Sequence, residues 1–367
     1  MIKRRTLLAG AASLAAVGVT VNSCPGEPEP SGYDLAVRQT WRHGAGMNAE
    51  KLGLYRELVR YATLAPSSHN SQCWKFKIGD RRISILPDLT RRCPVVDPDD
   101  HHLSVSLGCA AENLIQAAQA HGLHADADFA PASGGIEVLL SPTTAAPTPL
   151  FDAIPRRQSS RSEYDRRPLA AGTLTTLARA GSGAGIDVLM FTGVAEMEKL
   201  LEFVIAANSA QMSDPAFVQE LKGWMRFSDD EALESRDGLF ARASGNPALP
   251  RWLGNVLFKF FYTAAAENQK IAKQLRSSAG VAIFSCKIDD KPHWLEIGRA
   301  YQRFALQATA LGIRNALINQ PVEVASLRQS FASFLGIGGR RPDLVVRFGY
   351  GAEMPRSLRR PIDAVLV

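Results

Sequence analysis

The ten residues Ala65–Trp74, APSSHNSQCW, decide the reading of this chain. They follow a helical pattern over Asn48–Leu64, where Leu52, Tyr55, Val59 and Ala62 recur three or four apart. They run directly into Trp74–Ile78, which alternates apolar and polar residues as a half-buried strand does. Pro66 cannot continue a helix and biases Ala65 away from helical angles, so the helix must end there. Ser67, Ser68, His69, Asn70, Ser71 and Gln72 then form a loop dense in hydrogen-bond donors and acceptors. Small-ligand sites tend to form at such helix–strand corners, although an ordinary polar turn has the same composition.

Outward from this corner, Gly79-Asp80 turns the chain into Ile83–Leu86, a hairpin partner for the first strand. Ser104–His121 is a second helix, stopped by Gly122, and Leu123–Phe129 with Ile136–Leu140 reads as a further strand pair. Ser141–Leu150, SPTTAAPTPL, holds three prolines and no charge and is the best internal linker. Beyond it the alternation resumes. Ile186–Phe191, Gly280–Phe284 and Asp343–Phe348 read as strands, and Ala195–Ser209, Ala216–Phe227 and Leu295–Leu311 as helices. This order predicts an α+β protein with two related halves, residues 47–150 and 151–367, without a repeat of fixed short period. Ser228–Tyr262 has broken periodicity and is either a lid over a ligand site or a packing insertion.

A second set of chemical residues lies in Ile154–Leu169, IPRRQSSRSEYDRRPL. Five arginines, Arg156 to Arg167, stand beside Ser159, Ser160 and Ser162. Guanidinium forks match phosphate oxygens two at a time and hydroxyls fill the remaining acceptors, although a solvated basic loop would read the same. A third set closes the chain: Arg347-Phe348-Gly349-Tyr350-Gly351, then Arg359-Arg360-Pro361. Asn319-Gln320-Pro321 follows the last long helix. Asp97-Pro98-Asp99-Asp100-His101-His102 could suggest a metal site. We read it instead as a helix start, because aspartates there cap amides and adjacent histidines seldom point the same way.

Apolar residues make up 46% of the 367 and charged residues 21%, as in a protein with a full core. The net charge of +6 falls to +3 without Lys3, Arg4 and Arg5, too mild to argue for nucleic acid as a partner. Those three residues precede Leu7–Val21, an apolar stretch too short for the roughly 20 residues of a membrane anchor. Residues 1–23 therefore read as a cleavable leader, and Arg4-Arg5-Thr6-Leu7-Leu8 is similar to a twin-arginine export signal. Val21-Asn22-Ser23-Cys24 resembles a degenerate lipobox with Cys24 lipidated; cleavage nearby with Cys24 free or removed is the alternative. Residues 24–46 would be a tether. The remaining cysteines, Cys73, Cys93, Cys109 and Cys286, form no C-x-x-C pair and read as buried free thiols.

Ala65, Pro66, Ser67, Asn70, Gln72 and Trp74 match the flavin-contacting loop of the nitroreductase family, A-P-S-x-x-N-x-Q-P-W, with Cys73 standing where the family has Pro. Arg157-x-Ser159-x-Arg161 resembles the family's R-R-S-x-R, and Arg359-Arg360 its closing basic pair. The ring-contacting loop and the phosphate-contacting arginines lie in different halves here, so the chain resembles the double-length, Acg-type branch. The resemblance covers most of residues 47–367. It implies a three-layer α/β/α fold in which one chain forms an intramolecular pseudo-dimer holding one FMN. It further implies Pro66, Ser67, Ser68, Asn70, Gln72 and Gln320 near the flavin ring, and Arg157, Ser159, Arg161, Arg359 and Arg360 at its phosphate end. No amino-acid acid or base is required. The implied function is two-electron transfer to a small nitro or quinone-type acceptor. The alternative is an FMN-binding protein that sequesters the flavin under the lid without turnover. Export by the twin-arginine machinery would put the protein in the periplasm or cell envelope.

Overall fold

The computed structural model describes residues 31–44, 51–183 and 185–367. The expected leader, and Cys24 with it, lie outside the described residues. The first half comprises helices α1 (Gly32–Thr40) and α2 (Lys51–Thr63), strands β1 (Trp74–Gly79) and β2 (Arg82–Pro87), helix α3 (His101–Ala120), and strands β3 (Leu123–Ala130) and β4 (Gly135–Pro142). The second half runs from helix α4 (Ala171–Gly181) into strand β5 (Ile186–Phe191). An insertion follows with helices α5 (Val194–Ser213), α6 (Pro215–Trp224), α7 (Asp229–Ser235), α8 (Arg251–Phe261) and α9 (Ala264–Arg276). The sheet then resumes as β6 (Gly280–Cys286), helix α10 (Lys291–Ala310), β7 (Arg314–Leu317) and β8 (Pro342–Gly349).

The two sheets share one connectivity. The first has the spatial order β1-β2-β4-β3 and the second β5-β6-β8-β7, and all neighbours are antiparallel. In each half two strands precede a twenty-residue helix, and the last strand returns beside the second. The two long helices, α3 and α10, pack on each other. They can approach because Gly108 and Gly298 lie at the crossing. A Cβ on Gly108 would stand 1.9 Å from the Leu295 carbonyl oxygen, and one on Gly298 would stand 2.0 Å from that of Val105.

Strand alternation places the core. Phe76, Ile83, Ile85, Val138 and Leu140 turn inward against α3 with Leu107, Ala111 and Leu114. The opposite face of that sheet carries Lys77 and the half-exposed Leu139. The second sheet is covered on both faces. Ala282, Phe284, Val346 and Phe348 join the central core. Val281, Ile283 and Val345 pack on Leu200, Val204, Leu275 and Phe331. The α/β/α layering is therefore complete around the second sheet, and the chain is α+β.

Three segments differ in detail from their sequence reading. Within the expected tether, residues 32–40 are helical. The Ser31 hydroxyl accepts the Asp34 amide, and Tyr33 and Ala36 bury themselves with Ala232, Phe240 and Leu358. Their helical spacing makes an apolar stripe that only a distant part of the chain completes. Leu52 was expected on the buried face of α2 but is 61% exposed, one turn short of where that helix meets the core. Within Ser228–Tyr262, a capping box between Ser228 and Glu231 opens α7, and Leu239–Phe240 pairs in parallel with Met225–Arg226.

Candidate functional site

Helix α2 ends as its sequence requires, and the loop after it is tightly wound. His69, Asn70 and Gln72 all take left-handed φ values of 49°, 53° and 53°. Such angles strain non-glycine residues, so the loop must be held from outside. Ser67 Oγ accepts the Gln72 amide at 2.9 Å, and the Ser68 carbonyl accepts the Ser71 amide at 2.8 Å. Arg359 closes the corner. Its Nε donates to the Thr63 carbonyl at 2.9 Å, Nη2 to the Ala65 carbonyl at 3.1 Å and Nη1 to Asn70 Oδ1 at 2.8 Å. A C-terminal guanidinium thus caps carbonyls that α2 leaves open.

Two cavities meet at this loop. The larger, about 270 Å³, is lined by Pro66, Ser67, Ser68 and His69, by Ser159 and Arg161, and by Tyr301, Gln320 and Arg347. Its far wall belongs to the insertion, with Asn208, Gln211, Tyr262, Glu267 and Lys270. The smaller, about 80 Å³, is lined by Trp41, Pro66, Ser67, Asn70, Arg157, Ser159, Arg161, Arg356 and Arg359. Pro66, Ser67, Ser159 and Arg161 line both.

Four arginines face the smaller cavity, and among the described residues no carboxylate lines it. Burial, then Arg157 and Arg356, push Arg359 well below its ordinary pKa. Burial acts in the same direction on Arg157, Arg161 and Arg356. So much like charge is tolerable only where carbonyls or an anion compensate it. Arg356 spends its Nη atoms on the Pro155 and Arg156 carbonyls at 2.8 and 2.9 Å. Arg157 gives Nη2 to the Leu64 carbonyl at 3.0 Å, while its buried Nε has no partner. The Arg161 guanidinium has no hydrogen-bond partner among the described residues and stands between the two cavities. The arrangement is built to receive a phosphate-sized anion.

Of the eleven residues that the family resemblance assigns to a flavin, all but Gln72 and Arg360 line one of the two cavities. Gln72 is fully buried elsewhere: its Nε2 donates to the Arg236 carbonyl at 2.8 Å, and its Oε1 accepts the Arg360 amide at 2.8 Å. The Arg360 guanidinium turns to the Ala364 carbonyl at 2.8 Å and toward Asp88 at 3.9 Å. Gln320 lines the larger cavity with its Oε1 buried and unpartnered. Sequence reasoning set Arg347 apart only as part of the closing segment, and it missed Trp41 and Arg356. Arg347 is fully buried and holds the Ser160 and Ser162 carbonyls at 2.8 and 2.7 Å, which shapes the Arg157–Arg161 segment. Its place beside that segment had no local signal, nor had that of Trp41 or Arg356. His69 lines the larger cavity with Nδ1 unpartnered; burial, then Arg161 and His102, bring its pKa down to about 4.

The insertion is strapped to the loop. The Asn70 side chain donates to the Gly238 carbonyl at 3.1 Å, and the Gly238 amide returns to the Asn70 carbonyl at 3.2 Å. Between them and the insertion, Asp237 takes both Arg226, at 2.6 Å, and Arg91. At the start of α3, Asp97 caps the His102 and Leu103 amides at 3.0 and 2.9 Å, as its place before a helix suggested. The adjacent histidines do not diverge, however. Ligand atoms of Asp97, His101 and His102 lie within 4.8 Å of one another. His101 Nε2 pairs with Asp343 at 2.8 Å, and this buried pair ties α3 to β8.

No family model matches the chain. It is 24% identical over 327 residues to a Mycobacterium tuberculosis (strain H37Rv) protein named "Putative NAD(P)H nitroreductase Rv3131", covering 85% of this chain and 90% of the other. It is also 24% identical over 328 residues to the same organism's "Putative NAD(P)H nitroreductase acg", covering 84% and 94%. Among solved structures, the FMN-dependent nitroreductase NfnB from Mycobacterium smegmatis superposes with a TM-score of 0.41 at 15% identity, covering 59% of this chain and 96% of the other. So loose a superposition says nothing about this chain's chemistry.

Proposed function

We propose that this chain is an FMN-dependent oxidoreductase of the nitroreductase family, with its two halves acting as an intramolecular pseudo-dimer. One observation carries the reading. The Ala65–Trp74 loop and the Arg157–Arg161 segment, distant in sequence, line one pair of joined cavities whose smaller lobe is an acid-free cluster of four arginines. The two M. tuberculosis relatives point the same way over most of the chain. The repeated strand order and the reciprocal Gly108–Gly298 crossing support the pseudo-dimer.

The residues fit the cofactor. Arg157 and Arg161 have donors to spare for the FMN phosphate, while Arg356 and Arg359 add positive charge from fixed positions. Ser67 and Ser159 stand where the lobes join, and Gln320 brings an unsatisfied amide oxygen to the larger lobe. Bound FMN would supply the two-electron chemistry that no side chain here provides. His69, neutral at physiological pH, can donate or accept one hydrogen bond at the ring or at a small nitro or quinone-type acceptor without adding charge. The insertion supplies one wall of the larger lobe.

A second reading, flavin sequestration without turnover, draws support from the strap. Asn70 and Gln72, amides that would face a flavin in the family, hold the insertion at Gly238 and Arg236 instead. We also propose export to the periplasm or cell envelope, from the leader pattern and the lipobox-like Cys24. Anaerobic reduction followed in the flavin absorbance band separates the two functions. Bleaching by NADPH or NADH and reoxidation by a nitroaromatic or quinone supports the oxidoreductase. Bleaching by dithionite alone supports sequestration. A colourless protein that takes up no FMN overturns both.

A further inference from the structure

Helix α8 carries an apolar stripe that no described residue covers. Trp252 is 70% exposed, Val256 45% and Phe260 66%, at i, i+4 and i+8 on one face. The opposite face is used internally. Gly254 lies against Phe227, and Phe258 stacks on Tyr262 with ring centroids 4.5 Å apart. Both faces of α8 are therefore apolar, and only one is buried. Scattered surface apolar residues need no explanation, but three apolar residues in line on one helix, two of them aromatic, do.

We propose that α8 is a membrane-surface element that lies in the headgroup–acyl boundary of an anionic bilayer, with Trp252 and Phe260 inserted. The helix has eleven residues, roughly 16 Å, against a hydrocarbon core of about 30 Å, so it lies on a bilayer and does not cross it. Among the described residues no helix is long and apolar enough to cross a membrane. Trp and Phe are the side chains that membrane interfaces favour. Lys222 and Arg251 are both exposed at the rim of one surface hollow beside the stripe, where the half-buried Glu231 pairs with Arg251 and leaves Lys222 to attract anionic headgroups.

The direction from which the chain arrives points to the same occupant. Gly32, at the start of the first described segment, lies against Leu233 of α7. Glu231 of that helix pairs with Arg251 at 3.3 Å. The chain thus enters the fold against α7, the helix whose Glu231 reaches the first residue of α8. Cys24 stands seven residues before Ser31, within roughly 25 Å of chain. A lipid on Cys24, in the anchor reading above, would bring α7 and the adjoining α8 within reach of the bilayer. The stripe itself requires no lipidation.

The test is fluorescence of the full chain, expressed without lipidation, mixed with phosphatidylglycerol–phosphatidylethanolamine vesicles carrying brominated acyl chains. Subtraction of the W252F spectrum isolates the Trp252 emission. The expected result is a blue shift and quenching of that component, both lost in Phe260→Ser. A control at the exposed Ile288 (I288S) should leave both intact. FMN uptake, followed separately, tells loss of the stripe from loss of the fold. Trp252 emission unchanged by vesicles overturns the proposal. So does a Trp252 blue shift without lipid accompanied by a doubled sedimentation mass, since the stripe would then be covering a second copy of the chain.

Discussion

Gly108 and Gly298 meet where the two central helices cross: a Cβ on Gly108 would lie 3.0 Å from the Gly298 Cα. The contact is reciprocal, because each glycine also faces a carbonyl of the other helix, Leu295 for one and Val105 for the other. Cys109 Sγ adds a hydrogen bond to the Gly298 carbonyl at 3.2 Å. Alanine is ordinarily the better helix former by about 0.5–1 kcal/mol. Here the added methyl collides with backbone. Gly108→Ala and Gly298→Ala should each destabilise by at least about 1–3 kcal/mol, read as a lower denaturation midpoint. Equal or raised stability would mean that the helices are not in contact at this point.

The cluster of arginines should divide under mutation. The Arg161 side chain donates to no group among the described residues, so Arg161→Ala should weaken FMN binding about 10- to 100-fold and leave stability within about 0.5 kcal/mol. Arg359 caps α2, so Arg359→Ala should also cost on the order of 2–4 kcal/mol of stability by leaving buried carbonyls open. Equilibrium unfolding without flavin, set beside flavin titration, separates the two effects.

Asp237 is the single acid between Arg91 and Arg226 in the strap. Asp237→Asn leaves two guanidinium groups short of their counter-charge. The strap should loosen by about 1–3 kcal/mol. Limited proteolysis near Gly238 should speed up, and flavin release with it. Unchanged release would show that the insertion does not control access.

The buried His101–Asp343 pair makes a pH prediction with two arms. Burial brings His101 down to about 3 and Asp343 up to about 7. Unfolded His101 takes its proton near 6.5, so that residue costs stability as pH falls from 6.5 towards 3. Unfolded Asp343 loses its proton near 4, so that residue costs stability as pH rises from 4 towards 7. The two slopes oppose each other between pH 4 and 6.5. Asp343→Asn should leave the acid-side loss, and His101→Asn the loss on raising pH. Denaturant midpoints across pH 4–7 measure both.

The sequence by itself determined the local elements and the chemical vocabulary. Pro66 ends a helix because it lacks an amide donor, strand alternation sorts Phe76 inward and Lys77 outward, and the arginines of Ile154–Leu169 supply donors that suit an anion or a solvated loop alike. These are short-range properties, written within a few residues of where they act. Only the tertiary structure decided which of those residues meet. Gln72 and Arg360 share the motifs of their neighbours yet hydrogen-bond to each other, away from the cavities. Arg356 and Trp41 enter the site from positions with no local signal, and Arg347 reaches it from the closing strand. A guanidinium can grip an anion or cap a helix with the same donors. The choice depends on which carbonyls the fold leaves open within its reach, and no stretch of ten residues encodes that.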